Sequence, residues 1–210
     1  MALTKVRTGG ITTDAVDNTI LKLDDNFALT GTVSGTGMDL LLTHYANSGS
    51  PAYYDISSTY INSTYDNYYL VGYFEGDADT KYLQMQVFVG GTVQTGNIYG
   101  FSNQYIDSDD AHSNAQGEPN LVTCSTFGMG GEDGEGTHIS AVFQNANNPI
   151  APFCVNGNGC RHSTGANHAG IIFSGSMLPS QRASVVNGLR LKMHSGDITN
   201  FKFKFYGMKD

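Results

Sequence analysis

Tryptophan is absent from this 210-residue chain, only 14% of its residues are charged, and 11 basic residues face 19 acidic ones. The shortage of Lys and Arg and the net charge of −8 leave no basic footprint for nucleic acid or an anionic membrane. Long apolar runs are missing too. Stretches such as Met38-Asp39-Leu40-Leu41-Leu42 are far too short to span a bilayer, so no membrane insertion is expected. Lys5 and Arg7 are followed by no apolar segment of the kind a secretory signal needs. Three cysteines, Cys124, Cys154 and Cys160, make no disulfide framework, which fits folding in a reducing cytoplasm. The 26 glycines do not recur every third residue, which excludes collagen. No Gly-x-Ser-x-Gly elbow, phosphate loop or dinucleotide fingerprint occurs, and no enzyme and no cofactor are expected.

What remains is β-forming. Twelve Tyr and eleven Phe carry the aromatic weight, among many Thr, Ser and Asn. Leu, Ile, Val and Phe together lie just above the level at which disorder becomes the default, so a core is attainable but not generous. β-branched and aromatic residues separated by turn formers favour strands. Tyr68–Glu75 reads as a strand and Gly76–Asp79 as a turn. Lys81–Val89 follows, with Leu83, Met85, Val87 and Val89 on one face and Gln84 and Gln86 on the other. Gly90-Gly91 is a hairpin signal, so residues 68–101 are expected to form an antiparallel meander. Residues 121–129, 138–143, 169–174, 189–194 and 201–207 give further strands. In the last two, Leu189, Leu191 and Met193, then Phe201, Phe203 and Phe205, share a face. Residues 102–118, 130–136 and 144–169 read as loops. Short strands without helical periods predict an all-β domain over residues 38–210, an antiparallel β-sandwich or jelly roll.

Residues 1–37 differ. Val16, Ile20, Leu23 and Phe27 have near-helical spacing, with Asp14 as a possible cap, and Ala28–Gly37 alternates glycine with small residues. This stretch has too few apolar residues to bury itself, and is expected to be an extended arm that docks on something else.

Cys154, Cys160, His162 and His168 are the one cluster of soft donors. Structural zinc sites favour tighter pairs, two to four residues apart, and the five residues between Cys154 and Cys160 depart from that spacing, so no metal is expected. A Cys154–Cys160 bridge across Asn156-Gly157-Asn158-Gly159 is conceivable in a loop, although a reducing compartment opposes it. Glu132, Asp133 and Glu135 lack the ordered ligand series of an EF-hand and read as a solvated turn. Asp107, Asp109 and Asp110 cluster in a segment read as loop. Tyr53, Tyr54, Tyr60, Tyr65, Tyr68, Tyr69 and Tyr73 crowd together, and strand alternation assigns most of them to core or subunit packing.

The run Ile11-Thr12-Thr13-Asp14-Ala15-Val16-Asp17-Asn18-Thr19-Ile20-Leu21-Lys22-Leu23-Asp24-Asp25-Asn26-Phe27 resembles the degenerate repeats of tail fibres of tailed bacteriophages, particularly aquatic ones. Leu29–Gly35 resembles the stretch that leads from such repeats into a β-rich domain. Residues 54–90, and the ending from Val186 to Gly207, are similar to segments of phage virion proteins. The resemblance covers about half of the chain. It implies a homotrimeric virion structural protein, attached to other virion proteins through residues 1–37 and displaying a β-domain to a host-surface glycan or receptor. The single shaft-like repeat favours a short tail fibre, a head fibre or a capsid decoration protein over a long fibre. A carbohydrate-binding or carbohydrate-active β-sandwich, using Asp107–Asp110 or Glu132–Glu135, is the expectation of another class.

Overall fold

A computed structural model describes residues 37–47, 49–108, 112–117, 120, 122–124, 128–147, 150–162 and 168–209. The expected arm and its near-helical spacing lie outside the described residues, apart from Gly37.

The described chain is all-β. Its strands are β1 (Met38–Ala46), β2 (Tyr53–Ile56), β3 (Asn67–Gly76), β4 (Leu83–Val89), β5 (Thr92–Val93), β6 (Tyr99–Asp107), β7 (His112–Gly117), β8 (Val122–Thr123), β9 (Thr137–Gln144), β10 (Cys154–His162), β11 (His168–Met177), β12 (Val186–Met193) and β13 (Ile198–Met208). They form two antiparallel sheets. The larger has the order β1-β13-β3-β9-β10-β11-β6-β7, the smaller the order β2-β12-β4-β5, with β8 also pairing with β4. This is the expected sandwich-like class. No helix among the described residues is long and apolar enough to cross a membrane.

Alternation explains the core. Phe201, Phe203 and Phe205 are buried while Lys202 and Lys204 between them are exposed. The phenylalanines meet Tyr68, Leu70 and Phe74 of β3 and Phe143 of β9. Leu83, Met85, Val87, Leu189, Leu191 and Met193 of the smaller sheet complete the same core. Tyr68 stacks on Phe205 at 5.3 Å between ring centres, and Phe74 on Phe203 at 5.9 Å, within the range of favourable offset stacking. Of the crowded tyrosines, Tyr68 is buried, Tyr53 is exposed against Arg190, and the others are half-buried.

Several expected elements differ. The 68–101 meander does not form, because the chain changes sheets between β3 and β4 and again between β5 and β6. Alternation identifies a strand's buried face but not its neighbour. The hairpin at Gly90-Gly91 does form, joining β4 to β5 with both glycines at positive φ, 60° and 79°. Gln84 and Gln86, on the face opposite Leu83 and Met85, are buried as well, where Gln84 donates to Thr123 Oγ1 and Gln86 to the Asn120 carbonyl. Within the expected strand over residues 121–129, the described residues form β8 and an isolated bridge from Met129 to Lys81. Most of the described residues in 102–118 and 144–169 are strand rather than loop, belonging chiefly to β6, β7 and β10. The consecutive meander is instead β9-β10-β11. Its central strand carries Asn156-Gly157-Asn158-Gly159, in which Gly157 gives room for the Phe173 ring across the ladder.

His44 of β1 lies 4.3 Å from the Tyr54 ring and 4.9 Å from the Phe201 ring, and burial holds its pKa below the ordinary 6.5. His138 and His194 are displaced the same way, chiefly by desolvation. Between the depressed folded pKa and 6.5 the unfolded chain binds more protons. Stability is therefore full above about pH 6.5 and declines as the pH falls through that window. Urea midpoints measured at pH 7.5 and pH 5.5 should show this loss, and His44→Phe should lose less; an equal loss in both proteins would refute the assignment to His44.

Candidate functional site

Strand β10 decides the fate of the soft-donor cluster. Cys154, Cys160 and His162 all lie on its outer face, and His168 opens β11 as the ladder partner of His162. Six residues of extended chain separate Cys154 from Cys160 by roughly 20 Å. A disulfide needs α-carbons within about 7 Å, so the bridge conceivable for a loop is excluded by the strand. Cys154 instead donates to Gln144 Oε1 at 3.5 Å. Cys124 is buried, and desolvation pushes its thiol pKa up. The fold adds a residue that spacing could not reveal. His138 of β9 is the ladder partner of Cys160, with its ring 6.4 Å from that of His162. The rings of His162 and His168 are 6.2 Å apart. Among the described residues no three His, Cys, Asp or Glu side chains are placed to hold a metal ion.

The backbone of the acidic turn is held by one of its own carboxylates and by two from neighbouring segments. Asp79 accepts from the Gly131 N–H at 2.8 Å, Glu135 from the Glu132 N–H at 3.3 Å, and buried Glu75 from the Gly134 N–H at 3.3 Å. Tyr73 Oη also donates to Glu75 at 2.6 Å. Desolvation first, and then this carboxylate, raise the Tyr73 pKa and keep it a phenol. Asp107 ends β6, while Asp109 and Asp110 lie outside the described residues.

Among the described residues, the outer face of the eight-stranded sheet carries a trough. One row of ladder partners crosses it. Lys204 of β13 faces Val71 of β3, which faces Ser140 of β9 and then Asn158 of β10. The row continues through Ile172 of β11 and Gln104 of β6 to Asn114 of β7. Three adjoining depressions follow this row. The largest, about 600 Å³, is bounded by Val71, Tyr73, His138, Ser140, Asn158, Cys160, Lys202 and Lys204. The next, about 260 Å³, shares Asn158 with it and reaches Ile106. The third, about 350 Å³, shares Ile172 and Gln104 with the second and ends at Asn114 and Gln116.

Alternation builds this surface, because each inward Phe, Ile or Val leaves its neighbours facing out. The outward residues are small or amidic near the middle, which keeps the floor low, and Ile172 and Val71 remain 66% and 38% exposed. Tyr73 is braced by Glu75 on one side and by the His138 ring at 4.8 Å on the other. No carboxylate lines the largest depression among the described residues, while Lys202 and Lys204 line one end of it. The chemistry available is hydrogen bonding, apolar contact and attraction for an anion.

The sequence reading did not reach this trough because β6, β7 and β10 look like loops. The overlooked signal is the period of two in Tyr99, Phe101, Asn103 and Tyr105, and in Val155, Gly157, Gly159 and Arg161. Compared with protein-family models, curated proteins and solved structures, the chain matches none.

Proposed function

We propose that the chain is a bacteriophage virion structural protein, a short tail fibre or similar appendage, which attaches through residues 1–37 and presents its β-domain to the host surface. The observation that carries this reading is the long outward trough on a rigid sheet, joined to an N-terminal segment whose sequence resembles phage tail-fibre repeats. An adhesive protein needs a preformed, solvent-facing recognition surface and a means of attachment, and the two parts supply one each. The role is recognition rather than catalysis, and the assembled form is a homotrimer.

Antibodies raised against the β-domain should label tail tips in electron micrographs of the particles. Label on the head would replace the tail-fibre reading with a capsid decoration or head-fibre protein, and purified particles without the protein would overturn both. In light scattering, the full chain should have the mass of three 22.5 kDa subunits and fall to one when residues 1–37 are removed. A full-length monomer would refute the trimer.

A further inference from the structure

Resting on the host-contact reading, we propose that the trough binds an acidic, linear polysaccharide, with a carboxylate-bearing sugar seated against Lys202 and Lys204. The charge distribution is the first argument. The chain has only 11 basic residues and a net charge of −8, yet two lysines stand two residues apart on the outer face of β13. Lys81, Lys209 and Arg190 are paired with Asp77, Asp39 and Asp55, whereas neither trough lysine forms an ion pair with a described residue. Lys202 instead lies 6.0 Å from the Tyr45 ring centre. Two exposed ammonium groups, uncompensated among the described residues and beside a depression that no described carboxylate lines, favour an anion in a protein whose net charge otherwise repels one.

The rest of the trough selects the class of anion. Ser140, Asn158 and Gln104 each offer both a donor and an acceptor, as sugar hydroxyls do. Val71 and Ile172 place exposed apolar groups between them, suited to the C–H faces of sugar rings. From β13 to β7 there are six strand-to-strand steps of about 4.8 Å, or roughly 29 Å, the reach of an extended chain of several sugars rather than a single small anion. A protein partner fits less well, because protein interfaces centre on Trp, Tyr or Arg anchors, and the middle of this trough is Ser140, Asn158 and Gly170.

The test uses the full-length protein in calorimetric titrations with oligomers of galacturonate, alginate and sialic acid, and with maltooligosaccharides of matched length. At least one acidic oligomer should bind about tenfold or more tightly than the neutral one, with affinity falling as salt rises. The Lys202→Ala/Lys204→Ala variant should lose that preference. Asn158→Trp, distant from both lysines along the row, should block acidic and neutral chains alike. Circular dichroism checks that both variants fold. The proposal is overturned if no acidic oligomer binds, if neutral chains bind equally, if the preference survives without the lysines, or if Asn158→Trp dissolves an oligomer instead of blocking sugar. Tail location without acidic-sugar binding would sink this inference alone. Acidic-sugar binding by a protein missing from particles would sink only the appendage reading.

Discussion

Phe203→Ala is expected to lower the free energy of unfolding by about 3–5 kcal/mol, the range for truncating a large buried aromatic. Phe203 is 1% exposed, and its ring lies 5.3 Å from Tyr54, 5.8 Å from His44 and 5.9 Å from Phe74. It therefore joins β13 and β3 of one sheet to β2 of the other, and its loss removes packing from both layers. The surrounding rings are held by a continuous ladder and can collapse only partly into the space. Lys204→Ala, one position along and on the outer face, should change stability by no more than about 0.5 kcal/mol. Urea unfolding of both variants checks the pair. Equal effects would mean that the faces of β13 have been assigned the wrong way round.

Gly159→Ala is expected to destabilise by about 1–3 kcal/mol or more, although it adds a single methyl group. A β-carbon at Gly159 would lie 2.0 Å from the carbonyl oxygen of His138 on the neighbouring strand. That obstacle is backbone, so no side-chain rotation relieves it, and β9 and β10 must separate where they floor the trough. Hydrogen exchange should show protection lost first along β9 and β10. Gly170→Ala is the matched control, since a β-carbon there meets nothing within 4 Å. If the two variants were equally stable, the close approach of β9 and β10 would be refuted.

These positions also mark how far the sequence could be read. Phe201, Phe203 and Phe205 alternate with lysines, and Leu189, Leu191 and Met193 with Arg190 and Lys192, so their strands and buried faces were legible. In β10 the inward positions include Gly157 and Gly159, and glycine beside asparagine looks like a turn. The large residue that makes it a strand, Phe173, belongs to the next strand. The false meander has another cause, since nothing local to β3 and β4 states that they belong to different sheets. The trough inherits both obscurities. Lys202 and Lys204 could be placed on an outer face from their spacing, but what stands beside them comes from strands far away in sequence. The meeting of His138 with Cys160 is likewise a product of register.

The pairing of the first strand with the last has a mechanical consequence. Gly37 leads into β1, which lies along β13 from Met38–Met208 to Ala46–Phe201, and the Lys209 N–H reaches back to the Gly37 carbonyl at 3.1 Å. Asp39 is gripped near the same end by Lys209 at 3.0 Å and by Tyr65 Oη at 2.6 Å. A pull entering at Gly37 along the strand axis loads this ladder in shear on both sides of its irregularity at Leu41, so the hydrogen bonds of each stretch resist together instead of parting one by one. Tension entering at this edge would thus meet the geometry that best withstands it, with Lys209 as the clasp that holds the loaded strand in place.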